Sequence, residues 1–244
     1  MKTKRNLLSS IKSAMFIAVL ILLSSCMVLG EHGNGNVVKQ ERKVPSYNAI
    51  DVSGTFDIIL SQGATQSVTV EADDNLMKII KTRVEDGKLI IESEKPIQHA
   101  NSLKVYITIT ELKSLELSGA VNAITEGRLT LPELSIEGSG ASDSKFDIDV
   151  QKLDVDCSGG SKLRFRGMAS KVHMEVSGAV DLYAYDLVAE DFHLEISGAG
   201  KAQVNVTGEL NVDISGAGTV RYKGTPGKLI ENVSGAGSIK KAEN

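Results

Sequence analysis

The chain has 244 residues, of which 23 are glycine, five are phenylalanine and none is tryptophan, so its composition argues against a large globular core filled with aromatic side chains. Its 27 basic and 31 acidic residues give a formal net charge of −4. The sequence therefore lacks the excess basic charge of nucleic-acid-binding proteins, and we expect no nucleic acid partner.

Residues 1–25 have the layout of a signal peptide. Basic side chains within the first twelve positions precede the apolar run 15–23, which is much shorter than the roughly 20 residues that a membrane-spanning helix needs. Residues 23–26 (LSSC) resemble the lipobox of bacterial lipoproteins, in which the cysteine becomes the diacylated first residue of the mature chain. We therefore predict lipidation at Cys26 and a membrane partner through that lipid; the alternative is an incidental cysteine in an ordinary signal peptide.

Residues 26–43 are polar and glycine-rich, which predicts a flexible tether between the lipid and the folded part. If Cys26 carries lipid, Cys157 has no partner within the chain. No intramolecular disulfide is then expected, even in an oxidising cell envelope.

Residues 44–110 predict an N-terminal β section with strands at 56–60, 67–71, 89–92 and 103–109. Between the second and third strands, the pattern over 73–84 is that of a short helix. Asp73-Asp74-Asn75 provides a cap, the apolar positions are Leu76, Ile79, Ile80 and Val84, and Asp86-Gly87 provides a terminating turn. We expect this section to cover the open end of the repeats that follow.

Residues 111–240 contain an internal repeat with a Ser-Gly-Ala-like triplet spaced 18 to 21 residues apart. Apolar, acidic and apolar residues alternate before each triplet, which predicts short strands that meet glycine corners. The fold class is therefore all-β, a β-helix or solenoid, and 44–240 is one continuous domain. An antiparallel sandwich with hairpins of similar length is the alternative. The triplets begin at Ser118, Ser139, Ser158, Ser177, Ser197, Ser215 and Ser234, with a diverged copy at Ser53.

An acidic residue stands two positions before most of these serines. In a solenoid, equivalent positions of successive coils lie about 4.8 Å apart, so these carboxylates form a row along the surface. One interpretation of this row is a solvated face that keeps a flat β surface soluble. The other is that the carboxylates weakly bind calcium or a basic partner. We call it the acidic ladder; its members are Asp51, Glu116, Glu137, Asp156, Glu175, Glu195 and Asp213.

Two histidines occupy the same repeat position, four residues before the serine. His173 and His193 should stack on neighbouring coils beside Glu175 and Glu195. Imidazole and carboxylate are suitable ligands for zinc or a similar divalent ion. The alternative is a solvated outer face, and no other cofactor is expected.

The reactive side chains do not predict an enzyme. No Gly-x-Ser-x-Gly occurs around the repeated serines, and the Ser-x-x-Lys at 142–145 lacks the companion motifs of the penicillin-binding and β-lactamase families. Cys157 stands at an apolar core position of the repeat, and no phosphate-binding glycine loop is present in a strand-to-helix context. We predict no catalytic residue.

Residues 47–54, the segment 73–92 and the triplets at 197, 215 and 234 resemble the auto-transporter adhesin head GIN domain family, which is common among Bacteroidetes. The resemblance covers roughly residues 44–240. It implies a β-helix carried on a lipoprotein or signal sequence. Together with the lipobox, this leads us to expect a lipid anchor in the cell envelope, at the outer membrane.

The same resemblance implies a non-enzymatic adhesive or binding scaffold for a glycan or protein ligand, and it carries over no catalytic residues. Exposure on the cell surface and a periplasmic orientation are both open. Two other functions are also open: a structural lipoprotein that self-associates into a homo-oligomer, and a polysaccharide-processing β-helix enzyme.

Overall fold

The computed structural model describes residues 30–243, so the signal peptide and the predicted lipidation site at Cys26 lie outside the described residues. The fold is all-β, with 74% of the described residues in strands, and no helix occurs between residues 30 and 243. That part of the chain accordingly contains no helix with the length and hydrophobicity of a membrane span.

Eighteen strands are present in residues 30–243. They are β1 Glu31–His32, β2 Val37–Glu41, β3 Ala49–Gly54, β4 Asp57–Gln62, β5 Ser67–Asp73, β6 Ile80–Glu85, β7 Lys88–Ser93, β8 Ile97–His99, β9 Leu103–Ile109, β10 Ser114–Gly119, β11 Asn122–Thr125, β12 Leu129–Gly178, β13 Asp181–Gly198, β14 Lys201–Val206, β15 Glu209–Gly216, β16 Thr219–Gly224, β17 Lys228–Gly235 and β18 Ser238–Lys241.

The strands stack in two rows of parallel pairs, which confirms the predicted solenoid and excludes the antiparallel sandwich. Strands that end at a triplet form one row, which begins with the triplet-free strand β7 and runs in the order β7, β3, β10, β12, β13, β15, β17. Strands that follow a triplet form the other, which begins with the triplet-free strand β9 and runs in the order β9, β4, β11, β12, β13, β14, β16, β18. The long strands β12 and β13 run through corners and belong to both rows. We call the outward sides of these rows the first face and the second face.

The triplet glycines form the corner between the two rows. Gly216 has φ +131°, a conformation that costs little only for glycine. A Cβ atom on it would lie 2.4 Å from the carbonyl oxygen of Gly198 on the preceding coil. The next residue, Ala217, donates its backbone N–H to that same oxygen at 2.9 Å. Glycine is therefore required both for the turn and for the close stacking of successive corners.

The core lies between the rows and consists of the apolar positions of the alternating pattern. Leu115 is fully buried and pairs in register with Ile50 on one side and Ile136 on the other. Each such side chain contributes about 1.5–3 kcal/mol of hydrophobic stabilisation when it is fully buried. Phe146 and Phe165 continue the stacking inside the solenoid, with ring centroids 5.3 Å apart. Stability thus accumulates from contacts between neighbouring coils.

The short helix predicted over 73–84 is wrong. Residues 74–79 form consecutive turns, in which Leu76 and Ile79 donate their backbone N–H groups to carbonyl oxygens three residues earlier. The chain then enters β6 at Ile80, which pairs antiparallel with β7. Because pairing with β7 satisfies the backbone of residues 80–85, the segment left for a helix is too short to form one.

The predicted helix cap has a different role in the structure. Asp73 is buried, and its carboxylate accepts backbone N–H groups from Gly35 at 2.5 Å and Asn101 at 2.8 Å rather than from the following residues. Asp74 accepts the side-chain amides of Asn34 and Asn36 at 2.6 and 2.7 Å. We call residues 33–36 together with 73–75 and Asn101 the N-terminal clasp.

Part of the segment expected to be a flexible tether is folded. In residues 30–43, β1 pairs with β8 and β2 pairs antiparallel with β5. The difference arises because the clasp supplies hydrogen bonds that the polar sequence alone did not reveal. The rest of the N-terminal section extends the stack as expected: β6 lies beyond β7 in one row, and β5 and β2 lie beyond β9 in the other.

Candidate functional site

The acidic ladder forms a line on the first face. Strand register places Glu116 between Asp51 and Glu137, and it places Glu195 between Glu175 and Asp213. The seven residues line two adjoining open grooves of about 350 and 710 Å³, which share Asp156. The repeat alignment therefore located these carboxylates correctly relative to one another.

Near one end of the ladder Glu116 is paired with a lysine, whereas at the other end Asp213 is hydrogen-bonded to a neutral amide. At one end, Lys88 Nζ lies 2.5 Å from Glu116 Oε1, and this hydrogen bond raises the pKa of Lys88. Burial and the nearby charge of Glu116 raise the pKa of Asp51. At the other end, Asn232 takes the acidic position and donates its amide to Asp213 Oδ1 at 2.8 Å.

The histidine pair is stacked as the repeat predicts. The rings of His173 and His193 are 4.9 Å apart and inclined by 9°. Each Nε2 lies against the glutamate two residues further on, at 3.0 Å for Glu175 and 2.9 Å for Glu195. Asn211 Nδ2 lies 2.8 Å from His193 Nδ1, so both ring nitrogens of His193 have a hydrogen-bond partner.

These four side chains form two separate hydrogen-bonded pairs. Within residues 30–243, no group of three or more His, Cys, Asp or Glu side chains is arranged to hold a metal ion. Divalent ion binding at His173, Glu175, His193 and Glu195 would require these side chains to leave their present partners. It stays an expectation from the sequence.

The candidate nucleophiles are placed in structural roles. Cys157 is buried with a free thiol, and burial, followed by the charge of Asp156, raises its pKa to about 12. This thiol is protonated at neutral pH and belongs to the core, as its repeat position indicates. Ser142 donates its hydroxyl to Ser161 Oγ at 3.2 Å.

Sequence reasoning missed a second row of side chains, on the second face. The signal was present, because the residue six positions after each triplet serine from Ser118 onward points outward, just as the residue two positions before it does; Ile59, after the diverged copy at Ser53, is buried. Register aligns these residues along the stack. We call this set the basic–aromatic row; it comprises Ile59, Ile124, Lys145, Arg164, Tyr183, Gln203, Arg221 and Lys240.

A groove of about 410 Å³ follows four consecutive members of this row, from Ile124 to Tyr183. Ile124 and Tyr183 are each 39% exposed, and the Arg164 guanidinium lies 5.4 Å from the centre of the Tyr183 ring. This distance corresponds to a cation–π contact. The groove thus presents an apolar side chain, two cations and an aromatic ring on one surface.

The acidic side chain at the floor of this groove is compensated by two arginines. Asp147 is buried and lies 2.8 Å from Arg128 Nε and 2.9 Å from Arg166 Nε. Burial raises the pKa of Asp147, but hydrogen bonds and charge from the two guanidinium groups outweigh it and hold this pKa below its usual range. Asp147 is therefore ionised without adding net negative charge to the groove.

The structure is that of an elongated β-solenoid scaffold whose exposed side chains form long, regularly spaced rows of opposite charge on two faces. The chain belongs to the family described as "Putative auto-transporter adhesin, head GIN domain", whose model matches residues 46–226. This match confirms the resemblance seen in residues 47–54 and in the triplets, and it supports a binding role for the fold.

Solved structures share the same architecture. A "putative adhesin" from Bacteroides fragilis is 24% identical, with a TM-score of 0.82 over 87% of this chain and 100% of that chain. A "putative lipid binding protein" from Parabacteroides distasonis is 24% identical, with a TM-score of 0.70 over 87% and 99%. A "putative adhesin" from the same species is 22% identical, with a TM-score of 0.68 over 86% and 99%. At these identities, the similarity shows the fold alone. No curated protein matches the sequence.

Proposed function

We propose that this protein is a non-enzymatic binding scaffold of the cell envelope, anchored through lipid at Cys26, which presents its outward side-chain rows to a ligand. The observation that carries this proposal is the strict register of exposed residues on both faces. Parallel strand pairing fixes equivalent side chains about 4.8 Å apart along the solenoid. Such a surface is rigid before a ligand arrives, so little conformational entropy is lost on binding.

The distribution of reactive groups supports a binding role over catalysis. In the described residues, Cys157 is buried and the hydroxyl of Ser142 is engaged by Ser161. The His–Glu pairs lie on an open face. An active site needs reactive groups that converge on a position shielded from water, whereas these ladders present repeated groups along an open surface.

Lipid anchoring is tested at Cys26. The Cys26→Ala variant should leave the membrane fraction and should incorporate no fatty acid label, whereas the wild-type chain should stay in the membrane fraction and should incorporate the label. Protease treatment of intact cells then distinguishes a surface adhesin, which is cleaved, from a lipoprotein that faces the periplasm, which is protected. Membrane retention of Cys26→Ala without label would contradict lipid anchoring.

Binding itself is tested with the full-length chain, purified in detergent and probed against an array of glycans and extracellular-matrix proteins. We expect saturable binding to at least one class of ligand. If the folded protein binds no component of the array, the scaffold proposal is wrong in its binding role.

Self-association into a homo-oligomer is a second candidate, favoured by the opposite charges of the two faces. The acidic ladder of one copy is complementary to the basic–aromatic row of another. Light scattering should then show a larger species at low salt that dissociates at high salt, because exposed charges are screened. A monomer under both conditions would contradict this candidate.

A further inference from the structure

We infer that the basic–aromatic row binds a linear acidic polysaccharide, which lies in the groove from Ile124 to Tyr183 and continues along the row to Arg221. This inference rests on the proposed binding function and specifies the face and the chemical class of its ligand. Four of the eight positions in the row are basic, namely Lys145, Arg164, Arg221 and Lys240, and none is acidic.

The row provides cations that no other side chain neutralises. In the part of the chain that the structure describes, Lys145, Arg221 and Lys240 form no ion pair, and all three are exposed. Arg164 pairs with Asp143, which lies beside the row and not on it. Free cations at a fixed repeat distance are complementary to a polymer that carries an anionic group on successive units.

The aromatic and apolar members of the row favour a sugar polymer over a simple polyanion. Tyr183 is exposed, and its ring lies against Arg164, so one surface offers both a flat apolar face and a guanidinium donor. The C–H face of a pyranose ring packs on such an aromatic ring. A guanidinium group binds a carboxylate or sulfate with two parallel hydrogen bonds. Ile124 pairs in register with Lys145 on the neighbouring coil, and its exposed side chain extends the apolar surface.

The first face directs an anionic ligand to the second. The seven carboxylates of the acidic ladder repel a polyanion, and among the described residues only Glu116 of these seven is paired with a lysine or arginine. The two faces belong to different strand rows of the same coils. An anionic ligand is therefore repelled by the first face and attracted by the cations of the second. Asp147 and Asp186 are the acidic residues that line the groove, and Asp147 is compensated by Arg128 and Arg166.

The test uses the full-length chain in detergent with four probes: polygalacturonate, heparin, neutral dextran and single-stranded poly-thymidine DNA. We expect saturable binding of the two acidic polysaccharides, weakened at high salt, with no binding of dextran and weaker binding of DNA. The triple variant Lys145→Gln, Arg164→Gln, Arg221→Gln should weaken polysaccharide binding about tenfold or more. Tyr183→Ala should weaken it with little change in the salt dependence.

The matched control places three charge-removing substitutions on the first face: Glu137→Gln, Asp156→Asn and Glu175→Gln. This control should bind the polysaccharides at least as tightly as the wild type. Circular dichroism and melting curves establish that each variant is folded.

Three results would overturn the inference. They are unchanged binding by the triple variant, equal binding of dextran, and DNA binding as tight as that of the polysaccharides. If no polysaccharide binds but the ligand array still gives a hit, the inference fails and the scaffold function stands. If neither assay gives binding, both fail.

Discussion

Cys157 lies over Gly138 of the preceding coil, so that its sulfur occupies the space that a side chain at Gly138 would fill. A Cβ atom at Gly138 would come within 2.8 Å of Cys157 Sγ. Gly138 stands at a repeat position that is otherwise apolar, just before a triplet serine. The two residues are therefore a coupled pair, in which a larger residue on one coil is matched by a smaller residue on the next.

The first prediction is that this coupling is measurable. Gly138→Ala alone should destabilise the protein by about 1–3 kcal/mol, because the added methyl group overpacks the core against the sulfur. In a Cys157→Ala background the same change should be neutral or stabilising by about 0.5–1 kcal/mol, because alanine is favoured over glycine within a strand. Urea unfolding of the four proteins gives the interaction free energy, and additive effects would contradict the pairing.

The second prediction concerns the corners. Gly216→Ala should destabilise by at least about 2 kcal/mol, because it adds left-handed strain of about 1–2 kcal/mol to a clash with the Gly198 carbonyl oxygen. Gly160→Ala is the matched control. Gly160 is the third residue of its triplet, where most copies have alanine, and a Cβ atom there meets nothing within 4 Å.

The Gly160→Ala control should leave stability unchanged or increase it by about 0.4–1 kcal/mol. Thermal melting of the two variants measures the contrast. Equal losses in both variants would mean that the corner has no special requirement for glycine at its second position.

The repeat could be predicted from the sequence because every copy reports on the same local geometry. Triplets such as those at Ser197 and Ser215 gave the parallel register directly, and this register also fixed the acidic ladder. The same counting, carried six residues past each serine, would have found the basic–aromatic row. It was missed because its members, Lys145 and Tyr183 for example, differ in chemistry from coil to coil.

The N-terminal section was less predictable because its structure depends on contacts distant in sequence. Asp73 has the pattern of a helix cap, but its partners are Gly35, 38 residues earlier, and Asn101, 28 residues later. Glu231, at the other end of the described residues, was also not explained by the repeat pattern. It stands three residues before a triplet serine, where the other copies have an apolar residue. The coil that contains it is the last described, and even its core position Val233 is 45% exposed.

The third prediction is weak calcium binding along the acidic ladder. Its carboxylate oxygens are the ligands that calcium prefers, and Glu137 and Asp156 in its middle form no ion pair among the described residues. Calcium at ten times its dissociation constant would stabilise the folded state by about 1.4 kcal/mol. The double variant Glu175→Gln, Glu195→Gln should show a smaller increase in melting temperature. If calorimetric titration shows no heat and calcium changes the melting temperature of neither protein, calcium binding is rejected and the ladder is only a solvated face.

The last prediction is that the N-terminal clasp opens in acid. Burial raises the pKa of Asp73, but hydrogen bonds from the backbone N–H groups of Asn101 and Gly35 outweigh burial and hold this pKa below its ordinary value. A depressed folded-state pKa means that the carboxylate stabilises the clasp at every pH above its unfolded value of about 3.9. That contribution is lost as the pH falls through the lower, folded value.

Hydrogen exchange at the Gly35 and Asn101 amides should therefore be slow at pH 7 and should accelerate in acid relative to core amides. Asp73→Asn should give fast exchange at both pH values. The control Asp86→Asn removes an exposed carboxylate from the same section and should leave the exchange profile unchanged; equal protection in Asp73→Asn and wild type would show that the carboxylate does not hold the clasp.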